Sequence, residues 1–329
     1  MKKILGRISL TLLIIFTIFL IYQRDHFAFG TLLSFLRWPL FVLFGTLLII
    51  NLRQGQPFKL TLFMLGLLSV IGEWYWIKLN NRSLQAHDSK LQGKDLSILS
   101  YNLYFRNQHP ESIIMEIQEA DPDVIVVQEL TTHWDSLLRT RLKKYPYYDT
   151  KPLRNTYGLG TYSKFPLTKT EFLAKQPNKP YAQFVEIDFG DKNILLCNVH
   201  LASPAWAVEN PNNFFTIYEK INEQRKNQLI EIEQYFNQEN YQQSIQILAG
   251  DLNVFKLEPI YRDLLKNWLN LYNEKGSGLG TTFPNAHNFP NTFITLDYIL
   301  FRGETVPLNF SVLDQGSSDH FGIMGKLGL

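Results

Sequence analysis

The chain has 329 residues, room for one large domain or two small ones. Hydrophobic residues make up 45% and charged residues 19%, which is apolar-rich and charge-poor for a soluble protein. A formal net charge of +2 excludes the basic excess of a dedicated nucleic-acid binder, and the single cysteine, Cys197, excludes an intramolecular disulfide.

The apolar excess lies at the front. Residues 4–22, 36–52 and 60–78 are long stretches nearly free of charge, each near the length that crosses a bilayer as a helix. Residues 1–79 are therefore expected to be a membrane segment with about three transmembrane helices. A cleaved secretory leader fits the first stretch poorly, because no small-residue cleavage site follows and further apolar stretches come next. Lys2, Lys3 and Arg7 at the first stretch, with Arg53 and Lys59 before the third, place the N-terminus in the cytoplasm by the positive-inside rule. Three crossings then carry the rest of the chain outside, giving a multi-pass cell-membrane protein with an extracytoplasmic C-terminal domain. Trp74, Tyr75 and Trp76 suit an interfacial aromatic belt.

Residues 80–94 are polar, lack apolar periodicity and read as a linker. From 95 to 329 short apolar strands alternate with amphipathic helices, an α/β pattern long enough for one domain with a full core. Strands are expected at Leu96–Ser100, Val124–Gln128, Phe184–Asp188, Ile194–His200, Ile245–Ala249 and Tyr298–Phe301, and helices at Glu111–Glu119, Trp134–Lys144, Phe214–Phe236 and Pro259–Trp268. Cys197 is expected to be buried as a small hydrophobe. The run Glu219–Lys226 reads as a solvated helix face. Gly158–Gly160 lacks the Lys-Ser/Thr of a phosphate-binding P-loop and reads as a strand element.

Polar residues gather where the apolar strands end. Asn102 lies just past the first and Glu129 closes the second. His200 ends Ile194–Val199, Asp251 and Asn253 follow Ile245–Ala249, and Asp297 precedes Tyr298. Turn chemistry favours some of these residues singly, but strand ends on one sheet edge are where α/β folds collect active-site groups. Gly250-Asp251-Leu252-Asn253 and Ser318-Asp319-His320 together offer carboxylates, an amide and an imidazole, the parts needed to hold a hard cation and cleave a phosphate ester.

The ordered blocks Ser100-Tyr101-Asn102, Val127-Gln128-Glu129, Gly158 to Leu167, Asn198-Val199-His200-Leu201, Gly250 to Asn253, Leu296 to Leu300 and Ser318 to Gly322 resemble the endonuclease/exonuclease/phosphatase superfamily, the deoxyribonuclease I-like fold, in a membrane-anchored bacterial-type form. The resemblance spans about residue 95 to the C-terminus. It implies a four-layered αββα sandwich, an α/β (α+β) fold with two sheets face to face and helices outside. It implies a divalent-metal-dependent phosphodiesterase in which Glu129, supported by Asn102 and Asp319, holds magnesium or manganese. Asp251 with Asn253 would activate water, and His320 paired with Asp297 would donate to the phosphate. His200 would contact the phosphate or assist the leaving group.

Substrate is less specific than reaction. Thr295 to Ile299 departs from the Cys-Asp-Arg block of inositol polyphosphate phosphatases, and His200 stands where abasic-site and exonuclease III-like enzymes tend to have tyrosine, so both are disfavoured. A nuclease-like phosphodiesterase, with Arg106, Arg154, Lys164 and Arg225 available to a phosphate groove, is the default. A phospholipid or sphingomyelin-type phosphodiesterase, with the aromatic insertion Trp206–Phe215 beside the membrane, is the alternative. A catalytically inactive, membrane-anchored binding module is the reading from a different class. Expected partners are thus a nucleic acid or phospholipid headgroup and, through the N-terminal helices, the bilayer, with no protein partner predicted.

Overall fold

A computed structural model describes residues 94–329 apart from 191, 257, 279 and 286–293. The expected membrane helices at 4–22, 36–52 and 60–78, and nearly all of the linker, lie outside the described residues. Among the described residues no helix is long and apolar enough to cross a membrane. Described residues up to Lys256 and from Asp263 to Leu329 form one compact unit. Leu257–Arg262 falls outside it and holds the start of a short helix, Pro259–Leu264.

Two six-stranded sheets make up the unit. The first has the order β11 (Val306–Leu313), β12 (Gly322–Gly328), β1 (Asp95–Asn102), β2 (Val124–Gln128), β4 (Leu159–Ser163), β3 (Tyr147–Lys151). The second runs β5 (Leu167–Ala174), β6 (Pro180–Asp188), β7 (Asn193–His200), β8 (Ile245–Asp251), β10 (Asp297–Arg302), β9 (Leu269–Asn270). A parallel pair sits in each sheet, β1 with β2 and β7 with β8. Parallel neighbours need a crossover, and helices supply it: α1 (Pro110–Ala120) between β1 and β2, and α3 (Ala205–Glu209) with α4 (Phe214–Phe236) between β7 and β8.

Strand alternation sends every second side chain to the opposite face. Leu96, Ile98, Val124 and Val126 of the first sheet face Leu196, Ile247, Ile299 and Phe301 of the second in the inter-sheet core. Leu99, Tyr101, Ile125 and Val127 point the other way, onto α1 and α2 (Thr132–Arg141). Behind the second sheet, Phe184 stacks on Tyr235 of α4 with ring centroids 3.8 Å apart. Two mixed sheets with helices on their outer faces are the layered α/β sandwich the sequence led us to expect.

Local chemistry sets the helix ends. The Thr131 side chain caps α2 by accepting the Trp134 N–H at 3.2 Å, with Asp135 in the first turn and Arg139 and Arg141 in the last. This helix stops at Arg141, short of the expected Lys144, with Leu142 as its C-cap in a non-helical conformation at φ -101° and ψ 62°. The helix expected over Pro259–Trp268 likewise ends at Leu264.

Candidate active site

Register alone brings three predicted residues into line. His200 pairs with Asp251 across β7 and β8, and Asp251 pairs with Asp297 across β8 and β10. Because β8 and β10 are antiparallel, the last residue of one meets the first of the other. The backbone of β8 also presses against β7 here: a Cβ on Gly250 would lie 2.0 Å from the Val199 carbonyl oxygen, and its φ of +145° suits glycine alone.

The second half of the site comes from the other sheet. Asn102 ends β1 opposite Gln128, the last residue of β2, and Glu129 follows at once. Glu129 and Asn253 both adopt left-handed backbone, with φ of 57° and 50°, a strain of roughly 1–2 kcal/mol each for side-chain-bearing residues. The halves join through Asn102, whose Nδ2 donates to Asp251 Oδ2 at 3.1 Å.

Asp251 is the hub. Its Oδ1 accepts the Asn253 N–H at 2.8 Å, while Nε2 of His200 and of His320 stand 3.5 and 3.8 Å from its Oδ2. Asn253 donates its own amide to the Leu201 carbonyl at 3.1 Å, tying the loop after β8 to the end of β7. Nδ1 of His320 lies 2.9 Å from Asp297 Oδ2. Asp319 stands beside it, and the adjacent Ser318 hydroxyl donates to the Asn102 carbonyl at 2.7 Å, fixing the loop to β1. Glu129 Oε2 accepts the Phe105 N–H at 2.9 Å, and its charge is felt by His200, Asp319 and His320. Every residue predicted for the site therefore lies at one edge of the sandwich.

Burial governs the electrostatics. It raises the carboxyl pKa of Glu129, Asp251 and Asp319 by penalising their charged forms. His320 is also desolvated, which opposes its charge, yet the carboxylates of Asp297, Asp251 and Asp319 outweigh burial and hold its pKa well above the ordinary imidazole value. His200 goes the other way: burial lowers its pKa and favours the neutral ring. One imidazole is thus kept cationic and the other neutral within a single cluster.

Ligand atoms of Asp251, Asp297 and His320 lie within 4.8 Å of one another, close enough to hold a cation. That set differs from the expected Asn102, Glu129 and Asp319. An imidazolium that spends Nδ1 on Asp297 is a poor ligand, whereas the oxygen groups of Glu129, Asp319 and Asn102 suit a hard ion.

Several contributors escaped the sequence reading. Arg225, in the run expected to be solvated, is fully buried and donates to the Asn253 carbonyl and the Asn222 side chain. Glu219, Lys220, Glu223 and Lys226 of the same run are exposed as expected. Arg225 is therefore bonded to the Asn253 carbonyl in the interior instead of lining a groove. Lys164 also leaves the candidate groove, since it pairs with Asp121 and Asp123 ahead of β2, at the opposite end of that strand from Glu129. The Thr282 hydroxyl accepts the Leu296 N–H at 3.1 Å at the entry to β10, and no sequence signal marked it. Asn198 had a signal: it is an amide inside an apolar run, and it accepts from Gln128 at 2.8 Å across the sheets.

No curated protein matches the chain. Among solved structures it is similar to D. rerio TDP2 complexed with single strand DNA product, with a TM-score of 0.57 and 16% identity over 72% of this chain and 100% of that one. An endonuclease/exonuclease/phosphatase family protein from Bacteroides thetaiotaomicron gives 0.57 and 18% over 72% and 98%. A mannosyl-6-phosphatase from the same organism gives 0.54 and 19% over 71% and 100%. These likenesses share the fold. The profile of the Endonuclease/Exonuclease/phosphatase family matches residues 99–320, from β1 through His320, and the chain belongs to that family.

Proposed function

We propose that the chain is a divalent-metal-dependent phosphodiesterase, nuclease-like in substrate and held at the outer face of the cell membrane. The observation that carries the reaction class is Asp251: a buried carboxylate with raised pKa, fixed by Asn102 and Asn253, beside an imidazole kept cationic by Asp297. A carboxylate poised to take a proton and an imidazolium poised to give one form an acid–base pair.

Asp251 would accept a proton from the attacking water as its oxygen bonds to phosphorus. His320 would donate from Nε2 to the phosphoryl oxygen that gains charge, with Asp297 holding the Nδ1–H and the ring's orientation. His200, neutral and on the level of Asp251, would contact the phosphate or assist the departing oxygen. Glu129 and Asp319, half-buried carboxylates whose ionised forms are penalised by desolvation, fit a hard ion with Asn102 completing the oxygen set. Magnesium or manganese held there would neutralise phosphoryl charge. His320, His200 and the loop after β1 then orient the ester for in-line attack.

The nuclease-like reading is supported by the family and by TDP2, which carries a single-strand DNA product in its complex. Membrane tethering rests on the three apolar stretches before residue 79. One observation favours a phospholipid-type phosphodiesterase instead: Trp206, Val208 and Phe215, in the segment that follows His200, are 58, 67 and 47% exposed. Apolar side chains exposed to this extent, two of them aromatic, suit a lipid interface.

The full chain with magnesium or manganese should be assayed on bis-p-nitrophenyl phosphate, plasmid DNA, RNA, sphingomyelin vesicles and mannose 6-phosphate. Cleavage of the synthetic diester and of nucleic acid is expected. Turnover of lipid alone would select the second reading, and turnover of the monoester alone would overturn both. A C-terminal reporter that works only in the cytoplasm would refute the outer-face placement.

A further inference from the structure

Behind the site, on the far side of the first sheet, lies a buried carboxylate with no place in the chemistry above. Glu116, on α1, is 6% exposed. Its Oε2 accepts the Tyr101 hydroxyl at 3.0 Å and its Oε1 accepts the Gln315 N–H at 2.8 Å.

Tyr101 precedes Asn102 on β1, and successive strand residues face opposite ways. Asn102 reaches the site while Tyr101 enters the outer layer among Ile113, Ile114 and Ile117. The loop that delivers Asp319 and His320 closes around this ring. A Cβ on Gly316 would lie 1.8 Å from the Tyr101 hydroxyl oxygen, and one on Gly322 would lie 2.7 Å from the ring carbons. The two glycines flank Ser318-Asp319-His320, so both ends of the segment are shaped to the tyrosine.

We infer that Glu116 is a positioning residue: with Tyr101 it clamps residues 315–322 from behind the sheet, so that Asp319 and His320 meet Asp251 and Asp297. The inference rests on the proposed roles of those groups. Burying a carboxylate costs stability, and a leucine would pack among the isoleucines of α1 without that cost. A leucine cannot accept loop N–H groups. Ser318 and Asn285, which bond Asn102 and the Asp319 carbonyl, hold the same segment from the other side.

The test compares the full chain with Glu116→Gln, Glu116→Leu and Tyr101→Phe. Glu116→Gln replaces one of the two acceptor oxygens by an NH2 group that cannot accept, so the Tyr101 hydroxyl and the Gln315 N–H can no longer both donate to side-chain oxygens, and Glu116→Leu removes both acceptors. The expected result is a fall in kcat of about tenfold to a hundredfold on bis-p-nitrophenyl phosphate with KM within about twofold, as for a small misplacement of catalytic groups. Tyr101→Phe, which removes one of the two donors and leaves the Gln315 N–H bond, should lose less. Hydrogen exchange should rise by roughly tenfold or more in peptides covering 315–322 while β6 and β7 stay protected. Unchanged exchange in 315–322, or a rise spread evenly over both sheets, would overturn the clamp. A wild-type chain that cleaves none of the substrates refutes the proposed function, and the exchange comparison still decides the clamp.

Discussion

Asp297 binds His320 through one oxygen, Oδ2 to Nδ1 at 2.9 Å, while its other oxygen is buried without a partner. A carboxylate left half-satisfied in a low-dielectric site interacts strongly with the nearest cation, and here that cation is the imidazolium. The raised pKa of His320 follows from that pairing. If the protonated ring is the donor, activity is lost as pH rises through this raised pKa. Asp297→Asn removes the charge, so the alkaline limb of the kcat–pH profile should move toward lower pH. The plateau should fall by roughly 10²–10⁴, as for an acid that has lost the carboxylate that orients it. An unmoved alkaline limb would refute the pairing's role.

Asp251 gives a prediction that separates function from stability. Burial raises its pKa, so the folded state carries a penalty once the group ionises. Stability is fully present below the ordinary carboxylate range and is lost as pH climbs through the raised value. Asp251→Asn should therefore abolish turnover, by about 10³-fold or more, yet unfold at a higher temperature than wild type at pH 8 in the presence of EDTA. Near pH 4 the two melting points should converge. A variant less stable than wild type at pH 8 would contradict this electrostatic account.

Gly250 should tolerate no side chain. The Cβ of alanine would overlap the Val199 carbonyl at 2.0 Å in a φ region closed to it, forcing β8 away from β7. Urea titration of Gly250→Ala should show a loss of about 2–4 kcal/mol, with activity falling because His200 and Asp251 share that register. Wild-type stability in this variant would mean that the strand pair is looser than the geometry implies.

Arg225→Leu removes the donor to the Asn253 carbonyl and should destabilise by roughly 2–4 kcal/mol, as when a buried polar network loses a charged member. If Arg225 positions Asn253, kcat should fall further than the folded fraction accounts for. Restoration of kcat by Arg225→Lys at reduced stability would fit a single essential hydrogen bond.

The contrast between Asn198 and Arg225 shows what could be read from the chain. Strands buried on both faces, such as Val124–Gln128 and Ile245–Asp251, announce themselves as continuous apolar runs, and the polar residue that ends each run marks the site. The edge strands β3, β5, β9 and β11 were not anticipated. They are two-residue or part-solvated segments, and the middle of β5, Thr168–Glu171, is exposed and polar. β12 hides behind three glycines. Arg225 looks like any charge on a helix, because the partner that buries it comes from the loop after β8, which periodicity cannot see. Pairings across the sheets, such as Asn102 with Asp251, depend on register between distant segments and became visible only in the fold.

Glu129 sits at the end of β2 with one oxygen held by the Phe105 N–H and its charged form penalised by burial. A bound divalent ion would relieve that penalty and lower its pKa, so ion affinity should weaken as pH falls and the carboxyl is protonated. Glu129→Gln keeps the shape and the Phe105 bond but halves the anionic oxygen set it shares with Asp319. The magnesium concentration for half-maximal activity should rise by about tenfold or more, and isothermal titration should show the same loss without substrate. Asp297→Asn, which alters the imidazole pair, should leave the magnesium affinity within about threefold. If Asp297→Asn weakened the ion more than Glu129→Gln, the cation would belong with Asp251, Asp297 and His320, and the oxygen-rich assignment would fall.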